Sequence, residues 1–397
     1  MASLIVLGIS GILINSVILY LRPEEALGVF NQVFAVYIVL SQFAVCGFQL
    51  STLKQSAQHQ DDVAECGAIL FAALILTTSL SLVFALCLYS LSDLIGNILE
   101  STDVAFGLKL VAPGLIFFCL NKVILMSLNG RQQMRAFAIF QSLRFVFILI
   151  GICTILYAGL EHGYLALALS AAESILFMIL LIFSFPVLRA RTKSSTALKY
   201  WCKTHITFGT KGLLGGILIE MNTRVDVLML GIFLSDAHVG IYSFAAIFAE
   251  GFAQLSTVVR QNFDPIAGKD IADGKEGHLL ELIHTLRKRF WIAMLVLGLV
   301  SLLVFPLIYT TINGGALISN AFWVYLILTC GYVIASRQTP FSGIMLHKNR
   351  PELFSLVQGG TVLSNITFNF FLIPIWGIIG GAIATSLAIM LQAVFIG

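Results

Sequence analysis

The sequence predicts an all-α integral membrane protein of about 12 transmembrane helices, arranged as two pseudo-symmetric six-helix lobes. Three observations carry this: an apolar composition, apolar runs of bilayer length, and basic residues confined to alternate loops. Hydrophobic residues fill 58% of the 397 positions and charged residues 11%, where an ordinary soluble domain carries about 25% charged residues. Such a chain cannot clothe itself in polar surface. In lipid its backbone must satisfy itself internally, as helices or a closed barrel. Runs of about twenty apolar residues select helices.

The predicted spans are about 2–21, 27–50, 66–91, 104–128, 136–158, 164–187, 205–231, 238–259, 290–312, 319–340, 353–374 and 376–396. The first run lacks a basic start and is followed by many more, so it reads as a membrane helix rather than a signal peptide. Orientation follows from Lys and Arg, which resist translocation. With the N-terminus inside, the cytoplasmic loops hold eighteen of the 23 basic residues, including Lys54, Arg131, Lys193, Lys211, Arg260, Arg287, Arg337 and Lys348. The outer loops hold only Arg22. An even span count puts both termini in the cytoplasm. The expected organisation is an N-lobe at 1–188, a cytoplasmic linker at 189–204 and a C-lobe at 205–397.

Two matches support the lobes. LGVF at Leu27 returns as VGIY at Val239, 212 positions later, and LNGRQQMRAF at Leu128 returns as LHKNRPELF at Leu346, 218 positions later. An even number of spans between the matches gives the lobes the same orientation. Within the long connection from Arg260 to Arg289, HLLELIHTLRKRF places Leu279, Leu282, Ile283, Leu286 and Phe290 at helical spacing. That pattern predicts a short helix lying in the membrane interface. Trp201, Trp291, Trp323 and Trp376 fall near predicted span ends, where an indole prefers the headgroup layer.

The net charge of +3 carries no nucleic-acid meaning. The seven cysteines show no metal-ligand spacing and read as packing residues. No nucleotide-binding glycine loop, HExxH or nucleophile elbow sits on a suitable element, and the outer connections are too short for an extracytoplasmic catalytic domain. The expectation is a protein that is not an enzyme and uses neither cofactor nor metal.

What remains is a set of charges inside the spans. A charge at the bilayer centre costs several kcal/mol, so such residues face a bundle interior or a wet cavity. Lys109 and Lys122 lie on the fourth span, Arg144 on the fifth, Glu173 on the sixth, Glu220, Arg224 and Asp226 on the seventh, and Glu250 on the eighth. Some have a local alternative. Glu220 and Arg224, four apart, meet on one helix face and can neutralise each other; Lys122 and Arg144 can snorkel to a headgroup layer. The N-lobe thus holds three cations against one carboxylate, a composition that attracts phosphate. Glu173, Glu220, Asp226 and Glu250 are the ion-coupling candidates, because burial brings a carboxyl toward a titratable range. Moving an anion outward from a negative cytoplasm is downhill by about 2.3 kcal/mol per charge per 100 mV.

Three stretches resemble the polysaccharide-flippase branch of the exporter superfamily that also holds the drug and toxin extruders and the lipid II flippase. They are LYLRPEEALGVFNQ at Leu19–Gln32, RVDVLMLGIFLSDAHVGIYSFAA at Arg224–Ala246 and NFFLIPIWGIIGGAIATSLA at Asn369–Ala388. The resemblance implies two six-helix lobes opening alternately to either side of a bacterial inner membrane. It implies a flippase for an undecaprenyl-diphosphate-linked O-antigen or capsule repeat unit, Wzx-type in character, working beside a polysaccharide polymerase and a chain-length regulator. By motif it carries over Arg22, at the outer end of the first span, and Asp226. The cationic-site candidates are then Arg22, Lys109, Lys122, Arg144 and Arg224. The alternative of the same architecture is an exporter of drugs or organic cations. The chain stops at Gly397 directly after the last predicted span, without the basic tail of some relatives.

Overall fold

The computed structural model describes residues 2–191, 194–313, 318–348 and 350–396. Lys193, the middle of the connection between Asn313 and Ile318, and Gly397 lie outside the described residues, and of Lys211 only the backbone is described. The described chain is helical throughout, without a strand. Its helices are α1 (Ala2–Leu21), α2 (Glu24–Val45), α3 (Phe48–Gln58), α4 (Val63–Ile98), α5 (Thr102–Gly130), α6 (Met134–Tyr157), α7 (Leu167–Ala190), α8 (Ser195–Phe233), α9 (Asp236–Ala272), α10 (Glu276–Asn313), α11 (Ile318–Ala335), α12 (Ile344–His347) and α13 (Pro351–Ile396). Eight stretches among the described residues are long and apolar enough to cross a bilayer, α13 counting once, with shorter apolar helices at Ser10–Leu21 and Asn320–Ala335. The protein is a multi-pass membrane protein.

Local chemistry sets the ends. Asp62 caps α4 by accepting from the Glu65 amide at 2.9 Å, and Ser101 caps α5 by accepting from the Val104 amide at 3.2 Å. Three sequence expectations shift. The second predicted span is broken at Cys46 and Gly47, whose φ angles of 47° and 71° are left-handed. A side chain at Gly47 would strike the Gly209 carbonyl, so the break is built on a backbone contact. The segment between Ser195 and Thr204, within the expected linker, forms the first turns of α8. The expected interfacial helix is not separate: it opens α10, which runs unbroken for 38 residues, about 57 Å at 1.5 Å per residue and well beyond a hydrocarbon core of about 30 Å.

The chain divides into two compact units, one of residues 1–22 and 29–220, the other of residues 23–28 and 221–397. In the first, α5 packs against α3, α4 and α7. Pro113 cannot donate to the carbonyl one turn back, and nearby carbonyls are taken up laterally: Ser170 Oγ donates to Leu110 O at 2.7 Å and Tyr37 Oη to Gly114 O at 3.2 Å. Gly114 lets α5 and α7 approach until a Cβ there would meet Ser170 Oγ at 2.5 Å. Small residues are the usual means of close helix contact in lipid.

The second unit repeats this device. Gly331 on α11 faces Ser386 on α13, where a Cβ would meet Oγ at 2.6 Å, and Ser386 Oγ donates to Ile327 O at 3.0 Å. The glycines lie 217 positions apart and the serines 216, between the 212 and 218 of the sequence matches. An aromatic cluster of Phe244, Phe305, Tyr309 and Tyr325 fills the core, with Phe305 and Tyr325 stacked at 4.3 Å. α13 is a helical hairpin, its arms meeting at Gly377, whose φ of 57° and ψ of −136° are outside the helical region. Across the hairpin Gln392 Nε2 donates to Gln358 Oε1 at 3.2 Å. The start of α2 belongs here too, crossing the start of α9 so closely that a Cβ at Gly28 would stand 1.8 Å from Asp236 O, and one at Gly240 2.0 Å from Glu24 O.

Candidate functional site

In the first unit the charged candidates converge on α5, α6 and α7. Phe118 and Lys122 are four apart on α5 and share a face. Lys122 Nζ sits 4.4 Å from the Phe118 ring centre and donates to Ser41 Oγ at 2.9 Å. The Arg144 guanidinium lies 4.8 Å from the same ring centre. Cations over an aromatic face gain about 0.5–2 kcal/mol. Neither side chain snorkels: both turn into the bundle. Arg144 Nε pairs with Glu173 Oε1 at 2.7 Å, with Glu173 2% exposed, while Arg144 Nη2 is buried without a hydrogen-bond partner. Asn121 Nδ2 holds Glu173 through both its carboxylate, at 2.8 Å, and its backbone carbonyl, at 2.9 Å.

Removing one member of a buried pair strands the other, at about 3–5 kcal/mol, whereas replacing both by apolar residues is often neutral. Glu173→Gln is therefore expected to lower the thermal unfolding temperature of the detergent-solubilised protein clearly more than Arg144→Met combined with Glu173→Met. Equal losses in the two would remove the pairing from the account.

Lys109 stands apart. It pairs with Asp93 at 2.7 Å, is one-third exposed, and precedes Lys122 by 13 residues, about 20 Å along a helix. Arg22 donates to Leu160 O at 3.2 Å in an exposed position. Glu220 lies within electrostatic reach of Lys122. The structure brings Lys122, Arg144, Glu173 and Glu220 together and leaves Arg22 and Lys109 outside. The expected surplus of three cations over one carboxylate is correspondingly smaller: among the described residues Lys122 is the interior cation of this unit that makes no ion pair.

In the second unit Asp226 and Glu250 line one cavity of about 300 Å³, with Asn222, Arg260, Tyr332 and Thr385 also in its wall. Asp226 is 8% exposed and accepts from Asn369 Nδ2 at 2.9 Å, while the same nitrogen donates to Asn365 Oδ1 at 2.8 Å. Asn365, Thr385 and Tyr242 are further polar neighbours of its carboxyl, with Thr385 Oγ1 donating to Gly381 O at 3.0 Å and lying 3.3 Å from Tyr242 Oη. Arg224 acts electrostatically on Glu250. No cluster of three or more His, Cys, Asp or Glu among the described residues could hold a metal ion.

The family model for polysaccharide biosynthesis proteins matches residues 17–250, more than half of the chain. The chain belongs to that family. The match contains every charged candidate, from Arg22 to Glu250. Among curated proteins none matches by sequence. Among solved structures the chain is similar to a multidrug resistance MATE transporter of the MOP superfamily in an inward-facing conformation, at TM-score 0.77 and 14% identity over 99% of this chain and 92% of that one. It is also similar to the lipid II flippase MurJ in an inward closed conformation, at TM-score 0.65 and 16% identity over 94% and 84% of the chains. A third is a MOP superfamily transporter from Pyrococcus furiosus, at TM-score 0.57 and 15% identity over 99% and 93%. These likenesses show the fold, that of MOP-type transporters.

Sequence reasoning missed the neutral members of both sites: Ser41, Phe118 and Asn121 in the first, Tyr242, Asn365, Asn369 and Thr385 in the second. A signal existed for one pair. Asn365 and Asn369 are amides four apart inside an apolar span, hence on one face, and an amide there needs a partner.

Proposed function

We propose that this chain is a flippase that moves an undecaprenyl-diphosphate-linked oligosaccharide, an O-antigen or capsule repeat unit, from the inner to the outer leaflet of a bacterial inner membrane. In this reading 12 spans form two six-helix lobes working by alternating access, with both termini cytoplasmic, beside a polymerase and a chain-length regulator. Membership of the polysaccharide biosynthesis family supports the substrate class. The observation that carries the site is Lys122: an interior ammonium held by a hydroxyl and a ring face, so that its charge stays available to an anion. Arg144 Nη2 beside it has no partner of its own. Together they suit a diphosphate, whose oxygens take charge-assisted hydrogen bonds from both cations.

Coupling is assigned to the second unit. Asp226 offers one carboxylate amid carboxamides and hydroxyls, a set suited to a proton or a monovalent cation. Its occupation would bias the alternation, which is how a gradient drives a two-state carrier.

The test uses purified protein in liposomes carrying the lipid-linked oligosaccharide, with outer-leaflet sugar read by an impermeant oxidant. Lys122→Ala is expected to slow translocation, Lys122→Arg to restore part of it, and Lys109→Ala to matter least. Translocation equal to protein-free liposomes would overturn the reading. One observation favours an exporter of organic cations instead: Asp226 and Glu250 share a cavity. Drug resistance on expression, with no effect on surface polysaccharide, would select it.

A further inference from the structure

A second cavity in the second unit, about 320 Å³, has neither Asp226 nor Glu250 in its wall and shares Ile396 with the first. Its walls are apolar: Leu279, Leu280 and Ile283 from the first turns of α10, Phe341, Ile344 and Met345 from the segment around α12, and Ile396 at the end of α13. Two cations, Arg287 and Lys348, and the carboxamide of Gln338 are its polar lining, and no carboxylate is among the lining residues. Arg287 Nε and Gln338 Oε1 are both buried without a hydrogen-bond partner. Among the described residues neither Arg287 nor Lys348 forms an ion pair.

Those features do not explain one another within the protein. Arg287 is held 5.9 Å from the Phe341 ring centre with its charge unmatched, and a buried guanidinium nitrogen without an acceptor calls for one from outside. Apolar walls call for hydrocarbon. An acceptor joined to hydrocarbon, at the end of a membrane protein rich in Lys and Arg, is an anionic lipid, whose leaflet attracts basic segments at about 1 kcal/mol per residue. The volume is near the lower limit for small-molecule sites, about 300 Å³. It fits a headgroup with the first carbons of its chains, the remainder continuing into the bilayer.

We infer that this groove binds one anionic phospholipid, its phosphate on Arg287 and Lys348 and the upper part of its acyl chains along Leu279, Ile283, Phe341 and Ile344. The inference is independent of the transported substrate: it needs only that the chain lives in a membrane. The bound lipid would tie the amphipathic start of α10 to the segment around α12 and to the end of α13.

Delipidated full-length protein is titrated with dioleoyl phosphatidylglycerol and, separately, dioleoyl phosphatidylcholine, and bound lipid is counted by native mass spectrometry. The expected result is a preference for phosphatidylglycerol of about tenfold, 1.4 kcal/mol. Arg287→Ala with Lys348→Ala should abolish it, and Met345→Trp, which fills the groove, should lower phosphatidylglycerol binding. Lys288→Ala with Arg289→Ala, on exposed neighbours of Arg287, should leave the preference intact. If the first double variant fails to fold, Lys348→Glu, at an exposed position, should still erase the preference. Equal binding of both lipids by the wild-type protein, or a preference that survives loss of both cations, would overturn the inference. So would displacement of the lipid by millimolar inorganic phosphate, which would assign the groove to a free anion.

Discussion

Asp226→Asn is expected to remove the gradient-dependent part of translocation while leaving the protein folded. Asparagine keeps the size of the side chain and one acceptor for Asn369, so the hydrogen bond of 2.9 Å has a successor. What is lost is the single charge around which Asn365, Asn369, Thr385 and Tyr242 are gathered. Coupling free energies between sites typically correspond to about 5- to 150-fold in affinity, and the gradient-stimulated rate should fall within that range. Thr385→Val should produce a smaller loss, since it removes a neutral ligand and keeps the shape. The measurement is the initial rate in liposomes with and without an imposed proton or sodium gradient. A variant as gradient-responsive as the wild-type protein would exclude Asp226 from coupling and turn attention to Glu250 in the same cavity.

The second large effect concerns packing. Gly28→Leu and Gly240→Leu should each sharply reduce the folded, transport-competent protein, and even alanine should be poorly tolerated. A Cβ at these positions would sit 1.8 Å and 2.0 Å from backbone carbonyl oxygens, and backbone cannot swing aside as a flexible side chain can. Overpacking of a tight contact costs about 1–3 kcal/mol or more. Gly360 is the control, because nothing lies within 4 Å of a Cβ there. Gly360→Ala should be neutral or slightly stabilising, as glycine in a helix interior is worth about 0.5–1 kcal/mol less than alanine. Thermal unfolding and recovery from the membrane distinguish the three; alanine at Gly240 with undiminished stability would refute the crossing geometry.

These glycines show what the sequence could convey. Their setting was legible as a motif, a glycine followed by an apolar and an aromatic residue at the opening of a span, occurring twice 212 positions apart. The close approach was not, because a sequence names the residue that permits contact and not the carbonyl that arrives. The starts of α4 and α5, capped by Asp62 and Ser101, lie within three residues of the predicted span starts. Helix ends read poorly at Cys46 and Gly47, where apolar text runs on through a turn. The buried charges were legible individually, since Glu173 or Asp226 in an apolar run is conspicuous. Their partners were not: Arg144 and Glu173 sit on different helices, and in spans apolar all round no stripe reveals which face looks inward. The surplus of three cations over one carboxylate is smaller for that reason, because Lys109 pairs with Asp93 beyond its own span.

The hairpin of α13 has a consequence for how this gene can vary. Asn365 and Asn369 stand on one arm, Thr385 on the other, and they address the same carboxyl only because the reversal at Gly377 falls where it does. Each residue of a helix is turned about 100° from the last. Losing one codon between Asn369 and Gly377 would swing one arm by that angle against the other and scatter the three side chains, though every one of them would still be encoded. Substitutions at the tip are therefore expected to be far better tolerated than changes in its length.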